Sequence, residues 1–340
     1  MQSVVFKGPN RCVVESKPDP TPGPDDVIVK VKASGICGTD IHMFDGDIPT
    51  DYPMTPGHEF SGIVAEVGDS VDTVNVGDRV AVDPTLTCGA CYYCKRGKPH
   101  FCLNWEAIGV IHDGGFAELS SVPDKSVHAL PDAVSFEEGA MLEPLSCCLH
   151  GTERAGIELG DTVLIIGGGA IGLMIAQLAK LAGARKTILS EPSTYRREAG
   201  AALGIDVVVD PVAESIGQAI KDSTFDGADV IFECTGLPEP TRESLDLAAK
   251  GGRIIWFGVA NAESTVAISS YKVFDRELSI GGSFINPNTV SRALDILSAK
   301  AIQVAPLITT KLSLEEIERA LELHRTKEGL KIMLKPASRT

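Results

Sequence analysis

The stretch TVLIIGGGAIGLMIAQLA, residues 162–179, runs an apolar, partly β-branched segment into three consecutive glycines and out into a helical pattern. Gly167, Gly169 and Gly172 stand in it as G-x-G-x-x-G. The spacing alone is a weak signal; between a strand and the helix it opens, it predicts a dinucleotide-binding turn. There Gly167 permits the tight turn, Gly169 lets the backbone approach a pyrophosphate, and Gly172 allows the helix to pack closely on the strand. Ala170 and Ile171 begin the helix whose N-terminus faces the anion. A membrane span is excluded, because the run is short and broken by glycine.

Downstream the same rhythm repeats: KTILSE, a helix over 196–203, DVVVD, ADVIFECTG, RIIWFGV and ELSIGGSF. Strands alternating with helices predict a parallel sheet covered on both faces. Glu191 ends the second strand, nineteen residues past Gly172, where an acidic side chain hydrogen-bonds ribose hydroxyls and repels a 2′-phosphate. This favours NAD over NADP, with Arg196 and Arg197 close enough to serve the opposite preference. Two further strand ends, Cys234, Thr235 and Gly236, and Phe257 and Gly258, are expected to border the dinucleotide.

Upstream the first 140 residues are rich in Val, Gly, Pro and Asp, with alternating runs such as DVIVKVKA and GIVAEVG, and predict an antiparallel, strand-rich unit. The tail holds two helical patterns, TVSRALDILSAK and SLEEIERALELHR, then GLKIMLKP. Ser313 and Glu316 have capping-box spacing. The expected organisation is a β-rich domain over 1–150, completed by 287–340, and a doubly wound parallel-sheet domain over 151–286. A net charge of −15 over 340 residues argues against nucleic acid or anionic lipid as a partner. The N-terminus lacks a signal-peptide pattern, so a cytoplasmic location is expected.

Cys88, Cys91, Cys94 and Cys102 place four of nine cysteines in fifteen residues, as C-x2-C-x2-C-x7-C. In a chain with an odd number of cysteines this reads as a metal site rather than a disulfide framework. Four thiolates suit one tetrahedral zinc and also suit iron. A zinc so held has no open position and braces a loop. A catalytic zinc needs about three protein ligands and a vacancy. A candidate set is scattered over Cys37 in GICGTDIH, His58 and Glu59 in PGHEF, and Glu143 in MLEPLSCCLH, with Cys147 and Cys148 as nearby rivals.

With these motifs in order, the chain resembles the zinc-containing medium-chain dehydrogenase/reductase superfamily, especially the polyol branch typified by sorbitol dehydrogenase. GICGTDIH, GHEFSGIV, VGDRVA, the cysteine lobe, GGFAE, EPLSCCLH, the glycine array and GLKIMLKP carry the resemblance. It implies an α/β chain made of a GroES-like, β-rich catalytic domain and a Rossmann domain. It further implies two zinc ions per chain: a structural one on the four cysteines and a catalytic one on Cys37, His58 and Glu59. Glu143 would contact the latter directly or through water.

The implied reaction is NAD-dependent oxidation of a secondary alcohol to a ketone, the metal stabilising the alkoxide that precedes hydride loss. Thr39 would receive the hydroxyl proton and His42 would pass it towards solvent. Asp40 would accept the second ring N–H of His58 or cap a helix. Sorbitol dehydrogenases carry an Arg-Tyr pair after the strand resembling ELSIGGSF; here SFINPNT places Ile285 and Asn286 there. Other polyols, galactitol and altritol types among them, are then equal candidates. L-threonine or a simple secondary alcohol is the alternative substrate, and a non-catalytic, NAD-sensing zinc protein the alternative of another class. The resemblance also implies a homo-oligomer, a tetramer or a dimer through sheet edges near ELSIGGSF.

Overall fold

The computed structural model describes residues 1–337. The described chain forms two compact units: residues 1–144, 290–300 and 304–337 make the first, and 145–289 with 301–303 the second. The break falls inside the helix Leu142–Ala155, just ahead of position 150.

The first unit is built on a seven-stranded sheet. Its order runs Ile308–Leu312, Lys331–Leu334, Asp26–Gly35, Glu59–Val67, Arg79–Val82 and Val127–Ala129, with Leu119–Pro123 also paired to Asp26–Gly35. Alternation in DVIVKVKA turns Val27, Val29 and Val31 inward onto Phe60, Val64, Val80 and Val122. Each such fully buried side chain contributes about 1.5–3 kcal/mol. The C-terminal strand returns antiparallel to Asp26–Gly35, with Met333 opposite Gly35. Glu59 faces the same Gly35 from the other neighbouring strand. Ahead of the last helix, Ile317–Arg325, Glu316 accepts the Ser313 N–H at 3.0 Å and closes a capping box.

The second unit holds six parallel strands. Their order is Val207–Val209, Lys186–Ser190, Thr162–Ile166, Ala228–Glu233, Ala248–Trp256 and Ser279–Gly282. Numbered along this unit, that is 3-2-1-4-5-6, the doubly wound arrangement whose direction reverses between the first and fourth strands. All five residues of Thr162–Ile166 are buried, as a strand covered on both faces requires. The glycine array follows at its carboxyl end, where open α/β sheets bind ligands. Among the described residues no helix is long and apolar enough to cross a membrane.

Candidate active site

Cys37 caps the helix Gly38–Asp45, while His58 lies just before, and Glu59 begins, the strand Glu59–Val67. The fold brings one thiol sulfur, one imidazole nitrogen and one carboxylate oxygen of these residues within 4.8 Å of one another. His58 and Glu59 are buried, with Glu59 only 1% exposed. Thiolate, imidazole and carboxylate together form a donor set suited to zinc. Burial works to lower the His58 pKa, but the charges of Cys37 and Asp40 outweigh it and hold the imidazole well above its ordinary range. Glu143, in the first turn of the helix Leu142–Ala155, is not a member of this close set, although its charge acts on Lys331.

Lys331 was not singled out from the sequence. It is 7% exposed, and its ammonium pairs with the Glu59 carboxylate. Burial would lower its pKa, yet Glu59, Cys37 and Glu143 raise it above the usual lysine value. A Cβ at Gly35 would stand 2.3 Å from Glu59 Oε2 and 2.7 Å from Lys331 Cε, so only glycine leaves this pair room. The one hint in sequence was a lysine opening KIML, a strand whose four residues are all buried.

Thr39 Oγ1 lies 3.8 Å from Cys37 Sγ. His42 is part-exposed, with Nδ1 3.1 Å from Asp47 Oδ2. Asp40 accepts the Cys37 N–H at 2.8 Å and so caps the helix. Its other oxygen is 3.6 Å from His58 Nδ1, beyond hydrogen-bond length, and both atoms are buried without such a bond.

The four lobe cysteines also converge. Tetrahedral Zn–S bonds of about 2.3 Å place sulfurs about 3.8 Å apart. Here Cys102 Sγ lies 3.5 Å from Cys88 Sγ and 3.9 Å from Cys91 Sγ. Backbone N–H groups of Cys88, Cys91 and Asn104 point at cluster sulfurs from 3.3–3.4 Å. Backbone bonds from Cys94 and Leu103 pull the Cys91 thiol down to about 6, whereas desolvation and its thiol neighbours push Cys94 up to about 12. Four sulfurs at this spacing form a donor set suited to one tetrahedral metal ion.

In the second unit Gly167 takes φ +106°, a left-handed value that favours glycine. A Cβ on Gly172 would stand 1.9 Å from the Gly167 carbonyl oxygen, while beyond Gly169 the nearest atom is Arg196 Nη1 at 3.9 Å. Gly169 caps the helix Ala170–Leu181, in which Ala170 and Ile171 are the first residues. Glu191 is buried, accepting the Gly168 N–H at 2.7 Å and the Ser193 N–H at 2.8 Å. Arg197 is committed to Asp210 at 2.9 Å and to the carbonyls of Glu191 and Pro192. Cys234 donates its N–H to Ile166 at 2.8 Å, and the Thr235 methyl would lie 3.0 Å from a Gly167 Cβ. Phe257 and Gly258 follow the next strand. Cys148 is fully buried, its thiol 3.8 Å from the Ile171 carbonyl, and Cys147 is half-buried. Asn286 is buried and donates to Ser146 Oγ at 2.9 Å.

Residues 23–132 match the alcohol dehydrogenase GroES-like domain family, and residues 170–299 match the zinc-binding dehydrogenase family. A sorbitol dehydrogenase from Halalkalibacterium halodurans is 34% identical over 97% of each chain. This chain belongs to the zinc-containing medium-chain dehydrogenases. It is similar to an L-threonine 3-dehydrogenase from Caldanaerobacter subterraneus, at 35% identity over 95% of each chain. A zinc-binding dehydrogenase structure from Sinorhizobium meliloti, solved with NADP, is 39% identical, with a TM-score of 0.95 over 98% of this chain and 99% of that one. This dehydrogenase is an oxidoreductase acting on CH–OH donors, of the polyol and alcohol dehydrogenase group, which sets the non-catalytic sensor aside.

Proposed function

We propose that this dehydrogenase oxidises a secondary hydroxyl of a polyol to a ketose, with NAD as the preferred hydride acceptor. The observation that carries the reading is the convergence of half-buried Cys37 with buried His58 and Glu59, with the Thr39 hydroxyl 3.8 Å from the Cys37 sulfur. Zinc held by those three residues, with Glu143 directly or through water, supplies a Lewis acid that makes an alcohol easier to deprotonate. Thr39 accepts the hydroxyl proton and His42, 38% exposed, releases it towards solvent. Asp40 fixes the start of its own helix through the Cys37 N–H and places a carboxylate charge 3.6 Å from the His58 ring, while Lys331 restrains the Glu59 carboxylate. The four lobe cysteines hold a second, structural zinc.

In this reading the first unit is the catalytic domain and the second the NAD domain. Gly167, Gly169 and Gly172 shape the pyrophosphate turn, and Glu191 accepts the ribose hydroxyls. The negative charge of Glu191 and the commitment of Arg197 to Asp210 support NAD. NADP is the second reading, supported by the Sinorhizobium meliloti relative and by Arg196 near the glycine turn.

NADH formation across hexitols, pentitols, threonine and simple alcohols tests the substrate class. Turnover of threonine alone would refute the polyol reading. Full activity and unchanged zinc content in Cys37→Ala would refute the site. The strand Ser279–Gly282 ends its sheet, with Tyr271 and Phe274 exposed nearby, which supports a homo-oligomer through that edge. Light scattering that gives the single-chain mass would count against it.

A further inference from the structure

Glu233 is the last residue of the strand Ala228–Glu233 and is 1% exposed. Its carboxylate accepts the N–H of Thr235 at 2.7 Å, the N–H of Gly236 at 3.1 Å and the Thr235 hydroxyl, with Thr241 Oγ1 a further 3.4 Å contact. Its main-chain carbonyl oxygen accepts the N–H groups of Phe257 and Gly258, both at 2.8 Å. One residue therefore ties both turns that follow the fourth and fifth strands, by its side chain and by its backbone.

The two turns lie backbone against backbone. A Cβ on Gly258 would stand 2.1 Å from the Gly236 nitrogen, and one on Gly236 would stand 2.4 Å from the Val259 carbonyl oxygen. Gly236 is left-handed at φ +67°. Thr235 in turn packs beside Gly167, so a shift of the first turn would be felt at the glycine array as well as at the second turn. A neutral side chain of similar length offers fewer acceptor sites to the three donors that Thr235 and Gly236 present. The position is also close to the N-terminal turn of the helix Pro238–Leu247, where a negative charge is stabilised.

We propose that Glu233 is a positioning residue for the dinucleotide, holding the turns 234–236 and 257–258 in their binding geometry from beneath. The inference rests on the assignment of those turns to the cofactor. It predicts a defect in dinucleotide affinity, separate from metal content and from the Cys37 set.

The test uses the full-length, zinc-loaded protein and its Glu233→Gln and Glu233→Ala variants, titrated with NADH and with NADPH by calorimetry. Amide hydrogen exchange and zinc content are measured in parallel. Glu233→Gln should keep the wild-type zinc content, while its Kd for the preferred dinucleotide rises about tenfold, on the order of one lost hydrogen bond to a charged group. Glu233→Ala should weaken binding further. The amides of Thr235, Gly236, Phe257 and Gly258 should exchange faster in both variants than in the wild type. Unchanged affinity and unchanged exchange in both variants would overturn the role of Glu233 while leaving the cofactor reading intact. A wild-type protein that binds neither NADH nor NADPH would overturn the cofactor reading and this inference with it.

Discussion

Replacing Lys331 by methionine isolates its buried ion pair with Glu59, beside the proposed catalytic metal. Glu59, 1% exposed, would lose the cation that pairs with it. Removing one partner of a buried pair costs about 3–5 kcal/mol. For a unit of this size that lowers the melting temperature by on the order of 10 °C. The measurement is thermal and urea unfolding of chelator-treated protein, for Lys331→Met, for Glu59→Gln and for the double variant. Taking out both charges removes the unpaired carboxylate, so the double variant should recover most of the loss. Added zinc should raise the melting temperature more in Lys331→Met than in the wild type, since the freed carboxylate is then available to metal. A single variant within about 1 kcal/mol of wild type, or a double variant no better than the single, would refute the argument.

Cys94→Ser should lose one zinc per chain and several kcal/mol of stability, on the order expected for a structural site. Intact folding with selectively abolished turnover would contradict that assignment. Glu191→Ala should reduce the preference for NAD over NADP, read as the ratio of kcat/KM values, by about tenfold; a preference left whole would argue against it. Glu137 sits between Lys311 at 2.9 Å and Lys335 at 2.8 Å. Burial would raise its pKa, but bonds from Lys335 and Lys311 win and lower it to about 2. A depressed carboxylate stabilises the fold above its unfolded pKa and loses that contribution as pH falls through the folded value. The stability gap between wild type and Glu137→Gln, about 1 kcal/mol near neutrality, should narrow below pH 4.5 and close near pH 2. A gap constant across that range would exclude the linkage.

What was legible in sequence was local. The glycine array and the cysteine lobe each lie within one short segment, so spacing alone limits what they can hold. The parallel sheet was legible because strand and helix periods alternate from Thr162 onward. Cys37 stands apart in sequence from the adjacent His58 and Glu59; residue type offered them as a candidate set, and the resemblance made them zinc ligands. Lys331 and Glu233 were not legible, because a single charged residue in or at the end of a strand is usually solvated. Their burial follows from which strands become neighbours, which is a property of the tertiary fold. Asp40 was legible in both proposed roles, and the structure shows its carboxylate as a helix cap while its second oxygen stays 3.6 Å from His58.

The pairing of Glu59 with Lys331 has a consequence for the order in which this protein can be made. Strand Glu59–Val67 leaves the ribosome early, and residues 145–289, a unit with a core of its own, emerge before the strand that carries Lys331. Until that last strand is released, Glu59 has no lysine to meet and the first unit lacks two strands of its sheet. The second unit can therefore mature during synthesis before the first, which must wait for the strand that carries Lys331. A chain truncated a few residues before Lys331 would carry a complete second unit attached to an unfinished first one.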